Sequence, residues 1–227
     1  MNQPLHSTAV PAFELLALAR RGAAHDVNNV LAVIRGNIQL QSTLQPDQVE
    51  ATCAEIELAC ERLALLCDSW LLADPAPPPG GVHCHVADAL QHVAAVVRAT
   101  QEAEIRIEQA PTELDYTTGM DDRCLRALLY CVLTCLLRCG ARRAIDVRLE
   151  GSAAGCIAHL RMDCDAQRQP GVVAPGTRPS NDARLPQSIS TGLWDVGQCL
   201  QQHGGSLRQD YAQGISHLWL ELPPAGI

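Results

Sequence analysis

Two long runs with helical periodicity, separated by a short break, occupy the first third of the sequence. In the first, over about residues 11–44, apolar residues recur every three or four positions along one face. The second has the same spacing over about residues 46–72. A break as short as residues 43–47 predicts an antiparallel helical hairpin, which we bound at 11–73. One hairpin cannot bury an apolar stripe on each helix, so we expect two chains to pair as a homodimer with a four-helix bundle.

His25 stands on the first of these helices, on the side opposite the apolar face. On a helical wheel it lies about 160° from Val27, and Asn29 follows one turn later. A neutral imidazole is a nucleophile at physiological pH and can accept a phosphoryl group. Asp26 can orient the ring by accepting its other N–H, and can assist proton movement. Asn29 can position a water for the reverse, hydrolytic reaction. The three side chains together suit phosphoryl chemistry.

The run His-Asp-Val-Asn-Asn at residues 25–29, with the helix that follows it, resembles the H-box of two-component sensor histidine kinases. That family carries His-Glu/Asp-x-x-Asn/Thr on the first helix of a dimerising hairpin. The resemblance implies that His25 is the phosphoacceptor, that Asp26 is its orienting or acid–base partner, and that Asn29 positions water. It also implies a partner-binding surface around the histidine, made by Arg21, Gly22, Ala32, Arg35 and Gly36.

Residues 74–81, rich in proline and glycine, predict a linker after the hairpin. Beyond it, residues 82–227 alternate between strand-like and helical segments. They include a strongly apolar helix over 121–139 and two alternating strands over 145–150 and 156–162. Helices mixed with paired antiparallel strands predict an α+β sandwich. Residues 1–10 show no such pattern, and we expect them to be flexible.

This order of elements looks like the ATP-binding domain of histidine kinases, whose fold is shared across the GHKL ATPase superfamily. The run Cys-Leu-Gln-Gln-His-Gly-Gly-Ser-Leu at residues 199–207 matches the way that domain ends. The resemblance therefore implies the GHKL-type fold for residues 82–227. It says nothing about nucleotide binding.

All three nucleotide-binding motifs of that family are altered here. Cys135 and Cys139 stand where the Asn-x-x-x-Asn amides would hold magnesium and triphosphate, and a thiol is a poor ligand for magnesium. Asp163 and Asp165 remain near the place of Asp-x-Gly-x-Gly, without its glycines. Gly192 alone is left of Gly-x-Gly-Leu, where phosphate would meet the N-terminus of a helix expected over 191–202. We therefore expect no productive binding of ATP or Mg²⁺ and no other cofactor.

The charge, hydropathy and cysteine content of the chain exclude several classes of function. The chain of 227 residues has a net charge of −8, so we expect no nucleic-acid partner. No apolar run approaches membrane-spanning length and no leader is visible, which predicts a cytoplasmic protein that does not enter a membrane. The eleven cysteines are odd in number and sit mainly in apolar helical runs, so we interpret them as reduced and buried, with no metal site.

An H-box beside altered nucleotide motifs predicts a histidine phosphotransferase of kinase-like architecture. In this hypothesis His25 relays a phosphoryl group between the aspartates of receiver domains, which belong to response regulators or hybrid kinases and supply the magnesium. The alternatives are a phosphatase or weak histidine kinase acting on a response regulator, and a non-catalytic pseudokinase that binds signalling partners.

Overall fold

The computed structural model describes residues 12–43, 45–70, 84–109, 116–139, 144–152, 155–163 and 187–224. The predicted linker at 74–81 and the N-terminal segment 1–10 lie outside the described residues, as does Asp165. Within the described part, no helix is long and apolar enough to cross a membrane.

The helical hairpin is formed by α1 (Ala12–Leu40) and α2 (Pro46–Trp70), with a short 3₁₀ turn at Gln41–Thr43 between them. The first helix ends a few residues before the predicted boundary, where Thr43 Oγ1 donates a 2.8 Å hydrogen bond to the Leu40 carbonyl. That bond satisfies one of the carbonyls left free at the helix end. The α2 helix starts at a proline, whose fixed φ and missing N–H suit the first helical turn.

The remaining described elements form a mixed sheet with three helices. In chain order they are β1 (Cys84–His85), α3 (Val86–Gln101), β2 (Glu104–Gln109), β3 (Thr117–Thr118), α4 (Asp122–Cys139), β4 (Ala144–Ser152), β5 (Gly155–Asp163), α5 (Gln187–Gln202), β6 (Ser206–Ala212) and β7 (Ile215–Leu222). Five strands make one sheet in the order β2-β4-β5-β7-β6, and β1 pairs separately with β3. The β2–β4 pair is parallel and the other pairs are antiparallel. The predicted α+β class is confirmed.

The α4 helix lies at the centre of the core. Nearly every side chain from Cys124 to Leu137 is buried, and the continuous apolar sequence predicts burial on more than one side of this helix. It contacts α3, α5 and β4 within its own domain, and it also contacts α1 of the hairpin. The buried residues of hairpin and sheet domain consequently form one continuous core.

Part of the apolar face predicted for α1 is not covered within one chain. Ala23 and Val30 are buried and Val27 and Ile34 pack against the core. Leu31 and Ile38, predicted on the same face, are instead 45% and 55% exposed. The apolar face of α1 is therefore wider than the surface that other elements of the same chain cover. Exposure of Leu31 and Ile38 in the single chain is what we expect if one hairpin cannot bury the whole stripe.

Candidate phosphoacceptor site

His25 lies in the middle of α1 and projects into solvent, as predicted. Its side chain is 67% exposed. The helix is regular here, so the backbone restricts the positions of the imidazole ring. The solvent-facing edge of the ring stays accessible to a macromolecule. No hydrogen bond of its Nε2 occurs among the described residues.

The inner nitrogen of the ring, Nδ1, faces both predicted partners. Asn29 Nδ2 lies 3.1 Å from Nδ1, one helical turn away, and Asp26 Oδ1 lies 3.5 Å from it. The structure thus brings together the three side chains to which the sequence analysis assigns the chemistry.

The protonation of the ring depends on the orientation of the Asn29 amide. When the amide NH₂ donates to Nδ1, the neutral ring carries its proton on Nε2 and the outward nitrogen is not nucleophilic. When the amide is turned by half a rotation, its oxygen accepts from Nδ1–H, the Asp26 carboxylate lies 3.5 Å from the same nitrogen, and the lone pair of Nε2 points to solvent. The second arrangement is the one that prepares His25 to attack phosphorus.

Asp26 is only 7% exposed, although it directly follows an outward-facing histidine. Its Oδ2 accepts a 2.6 Å hydrogen bond from the Tyr130 hydroxyl of α4. Burial, followed by the nearby Asp26 carboxylate, raises the pKa of Tyr130 above its ordinary value, and so keeps the phenol protonated as a donor. A buried carboxylate requires such a partner. Tyr130 lies 104 positions from Asp26 in the sequence, so no local pattern reveals that it is the partner of this carboxylate.

Small residues let α4 approach α1 at this point. Ala19 and Ala23 are buried along the same side of the helix as Asp26, and Gly22 lies beside them. A Cβ atom placed on Gly22 would lie 3.1 Å from Tyr130 Cε1, closer than most carbon contacts allow. Gly22 therefore makes room for Tyr130 inside the chain. It is partly exposed, and its place on the partner-binding surface stays a prediction.

The other predicted surface residues do face solvent. Arg21, Ala32 and Arg35 are exposed, and a Cβ atom on Gly36 would meet nothing within 4 Å. These four residues flank His25 on α1 and leave its surroundings unobstructed.

The positions of the nucleotide motifs are spread over α4, β5 and α5. Cys135 is buried within α4, and Cys139 is the last residue of that helix. Asp163 is exposed at the end of β5. The α5 helix begins at Gln187 rather than at 191, so Gly192 lies in its second turn and not at its N-terminus. The N–H groups left free at the start of this helix belong to earlier residues, so the predicted position of Gly192 at the helix N-terminus is wrong.

Burial accounts for four of the six cysteines in the sheet domain whose side chains are described. Cys84, Cys131, Cys135 and Cys156 are all buried, and desolvation is the largest cause that raises the pKa of each thiol. They act as small apolar side chains, as the sequence analysis expects.

No protein-family model matches the sequence, and no curated protein matches it either. A solved structure described as a bacterial phosphotransferase superposes with a TM-score of 0.60, covering 97% of this chain and 100% of that chain at 17% identity. The chain has the fold of that bacterial phosphotransferase. At this identity the likeness concerns the fold alone.

Histidine kinases are also among the solved structures found. The kinase AdeS of Acinetobacter baumannii has 13% identity over 89% of this chain and 98% of that chain, with a TM-score of 0.48. The ATP-binding domain of PrrB from Mycobacterium tuberculosis has 20% identity over 64% of this chain and 98% of that chain, with a TM-score of 0.47.

Proposed function

We propose that this protein is a histidine phosphotransferase that relays a phosphoryl group between receiver-domain aspartates through His25. The observation that carries the proposal is the arrangement at His25: an exposed ring whose inner nitrogen faces Asp26 and Asn29 while Nε2 is open to solvent. The phosphotransferase-like fold of the whole chain supports it.

The transfer step follows from this geometry. The Nε2 lone pair attacks the phosphorus of an aspartyl phosphate, the N–P bond forms, and the P–O bond to the carboxylate breaks. The ring becomes cationic and keeps its proton on Nδ1, where Asp26 stabilises the charge. The reverse sequence returns the phosphoryl group to a second aspartate. Magnesium at the receiver's acidic pocket would neutralise charge on the transferring group.

Transfer without ATP is the second part of the proposal. The altered motifs support it, because the buried Cys135 thiol offers no hard oxygen ligand for magnesium and Gly192 lies inside a helix. A thermal shift assay with millimolar Mg-ATP tests this part separately. No change in Tm is expected, whereas a rise of several degrees would contradict it.

The exposed residues of the hairpin support a homodimer. Leu31, Ile38 and Leu58 are large apolar side chains with about half of their surface exposed in the single chain. Pairing two hairpins into a four-helix bundle would remove this surface from water. Light scattering coupled to size-exclusion chromatography should give twice the chain mass, and a monomer at micromolar concentration would contradict the dimer.

Label transfer tests the main proposal. The purified protein is incubated with an autophosphorylated kinase and receiver pair, and in parallel with [γ-³²P]ATP alone. Acid-labile label is expected only with the phospho-receiver. It should be absent in His25→Ala and present in His85→Ala, a matched change at another exposed histidine. Label from ATP alone would indicate a kinase, and no label across a panel of receivers would indicate a pseudokinase.

A second candidate function is dephosphorylation of a receiver. The observation that favours it is Asn29, whose amide lies 3.1 Å from His25 Nδ1 and is exposed to solvent, where it can hold a water. Asn29→Ala should then slow the loss of phosphate from a phospho-receiver at least tenfold. If the relay alone operates, phosphate release is unchanged by this substitution.

A further inference from the structure

A group of soft donor atoms lies between α4 and α5, away from His25. Cys124 Sγ and Cys199 Sγ are 3.5 Å apart, and His203 Nδ1 is 4.0 Å from Cys199 Sγ. One ligand atom from each of the three residues fits within a span of 4.8 Å. Both cysteines are buried and the histidine is partly buried.

The spacing of these atoms fits a tetrahedral ion. Two thiolates bound to one Zn²⁺ at about 2.3 Å stand roughly 3.7 Å apart, close to the observed sulfur–sulfur distance. A disulfide would need the two sulfurs at about 2.05 Å and an oxidant to remove two electrons. Sulfur with imidazole nitrogen is the donor set that selects Zn²⁺ over magnesium or calcium.

The backbone holds the three donors in place. Cys124 lies in the first turn of α4, where Asp121 Oδ1 accepts hydrogen bonds from the N–H groups of Arg123 and Cys124. Cys199 and His203 are one turn apart at the end of α5. The turn after α5 is closed by hydrogen bonds from the N–H groups of His203 and Gly205 to the Leu200 carbonyl, with Gly204 at φ 82°.

The helix ends suit a cation with thiolate ligands. The N-terminus of α4 carries partial positive charge, which would offset part of the negative charge of a metal-bound Cys124 thiolate. The C-terminus of α5 carries partial negative charge and favours the metal ion itself. The nearby Asp121 carboxylate adds further negative charge, so a divalent cation would leave the cluster better compensated than two bare thiolates.

We propose that Cys124, Cys199 and His203 form a binding site for Zn²⁺ that joins the start of α4 to the end of α5. On binding, both thiols release their protons to water. In the metal-free chain, His203 Nδ1 lies 2.9 Å from the Cys199 carbonyl and carries the proton of the neutral ring. When the ion binds to Nδ1, that proton is lost to water and the ring is protonated on Nε2 instead. The described residues supply three ligands, and water takes the fourth position.

This site is at the opposite end of α4 from Cys135, eleven residues along the helix, or about 16 Å. The proposed zinc ligands include none of the residues to which the phosphotransfer proposal assigns chemistry. The proposal differs from the expectation that the chain has no metal site. The sequence signal was the pair Cys199 and His203 at helical spacing, and Cys124 could not be joined to it without the fold.

Cobalt titration of the reduced, metal-free full chain tests the proposal. Co²⁺ should give a thiolate charge-transfer band that saturates at one ion per chain and is displaced by Zn²⁺. Saturating Zn²⁺ should raise Tm by roughly 5–10 °C. Cys124→Ser and Cys199→Ser should abolish the band, and Cys156→Ser, a buried cysteine outside the cluster, should keep it.

His203→Ala covers the case in which the serine variants fail to fold, because this side chain is partly exposed. It should weaken cobalt binding at least tenfold while the far-ultraviolet circular dichroism spectrum stays unchanged. A wild-type protein with no band at one equivalent, or a band that persists in folded Cys199→Ser, would overturn the proposal. So would a Cys124–Cys199 disulfide in the protein as purified under reducing conditions.

Discussion

The hydroxyl of Tyr130 donates a 2.6 Å hydrogen bond to Oδ2 of Asp26, and so joins the central helix of the sheet domain to the helix that carries His25. The other oxygen of Asp26 lies 3.5 Å from the inner nitrogen of His25. One buried carboxylate thus links the packing of two domains to the orientation of an exposed ring.

Tyr130→Phe should slow phosphotransfer more than it harms the fold. The change removes the hydrogen bond and leaves a buried Asp26 oxygen without its donor, which costs about 1–3 kcal/mol. A less well-held carboxylate orients the ring poorly, so we expect the transfer rate to fall roughly tenfold. Single-turnover transfer and urea unfolding measure the two effects. Tyr211→Phe, at a half-buried tyrosine of β6, is the control and should leave the transfer rate unchanged.

Two helical glycines of α1 should respond in opposite ways to alanine. Gly36→Ala meets nothing within 4 Å and should raise the free energy of unfolding by about 0.5–1 kcal/mol, because alanine is the better helix former. Gly22→Ala gains the same propensity but pushes against the Tyr130 ring, so we expect no gain or a loss. Urea unfolding of both variants provides the comparison. Equal stabilisation would mean that Tyr130 shifts without cost.

The exposed side of α1 should control how a receiver docks. Arg35→Glu and Ala32→Trp change charge and bulk beside His25 at positions exposed to solvent. We expect the KM for the phospho-receiver to rise about fivefold or more, with Tm unchanged. Arg161→Glu, at an exposed arginine on β5, is the charge-matched control. An equal effect of Arg161→Glu would contradict docking on this surface of α1.

Stability should fall at alkaline pH because of the buried thiols. Burial raises the pKa of Cys156 from 9.0 to about 12. Below pH 9 both folded and unfolded chains hold this proton, so the thiol contributes no pH dependence. Between pH 9 and 12 only the unfolded chain loses it, and the free energy of unfolding falls by about 1.4 kcal/mol per pH unit for each such thiol.

Urea unfolding between pH 8 and 10.5 measures how steeply the free energy of unfolding falls with pH. Cys156→Ala should make this fall less steep by the contribution of one thiol. The matched variant is Cys60→Ala on α2, because that thiol is exposed to water and should leave the slope unchanged. A wild-type stability that stays constant to pH 10.5 would contradict the prediction.

Periodicity predicted the long elements well, because a continuous helix or alternating strand leaves many residues to average over. The α4 helix is an example: its apolar sequence predicts burial on more than one side, and the structure confirms it. Boundaries depend on fewer residues. The α5 helix starts at Gln187, several residues before the prediction, in a stretch whose polar sequence favours a loop.

Contacts between distant parts of the sequence could not be predicted in the same way. Hydrophobic patterns treat a carboxylate as a surface group, yet Asp26 is buried because Tyr130, 104 positions later, supplies a hydrogen bond. Nothing local shows that a tyrosine ring packs against Gly22. The closeness of His25 and Asn29 spans only one helical turn, so it can be predicted from the sequence.

The continuous core between hairpin and sheet domain has a consequence for recognition. A receiver that docks at His25 as proposed would meet the sheet domain in a defined position, because the Tyr130–Asp26 hydrogen bond and the shared core hold the two parts together. Such preorganisation would reduce the entropy lost on association. Selectivity among similar receivers can then reside on the sheet domain, far from the reacting nitrogen, and can change in evolution without disturbing the chemistry.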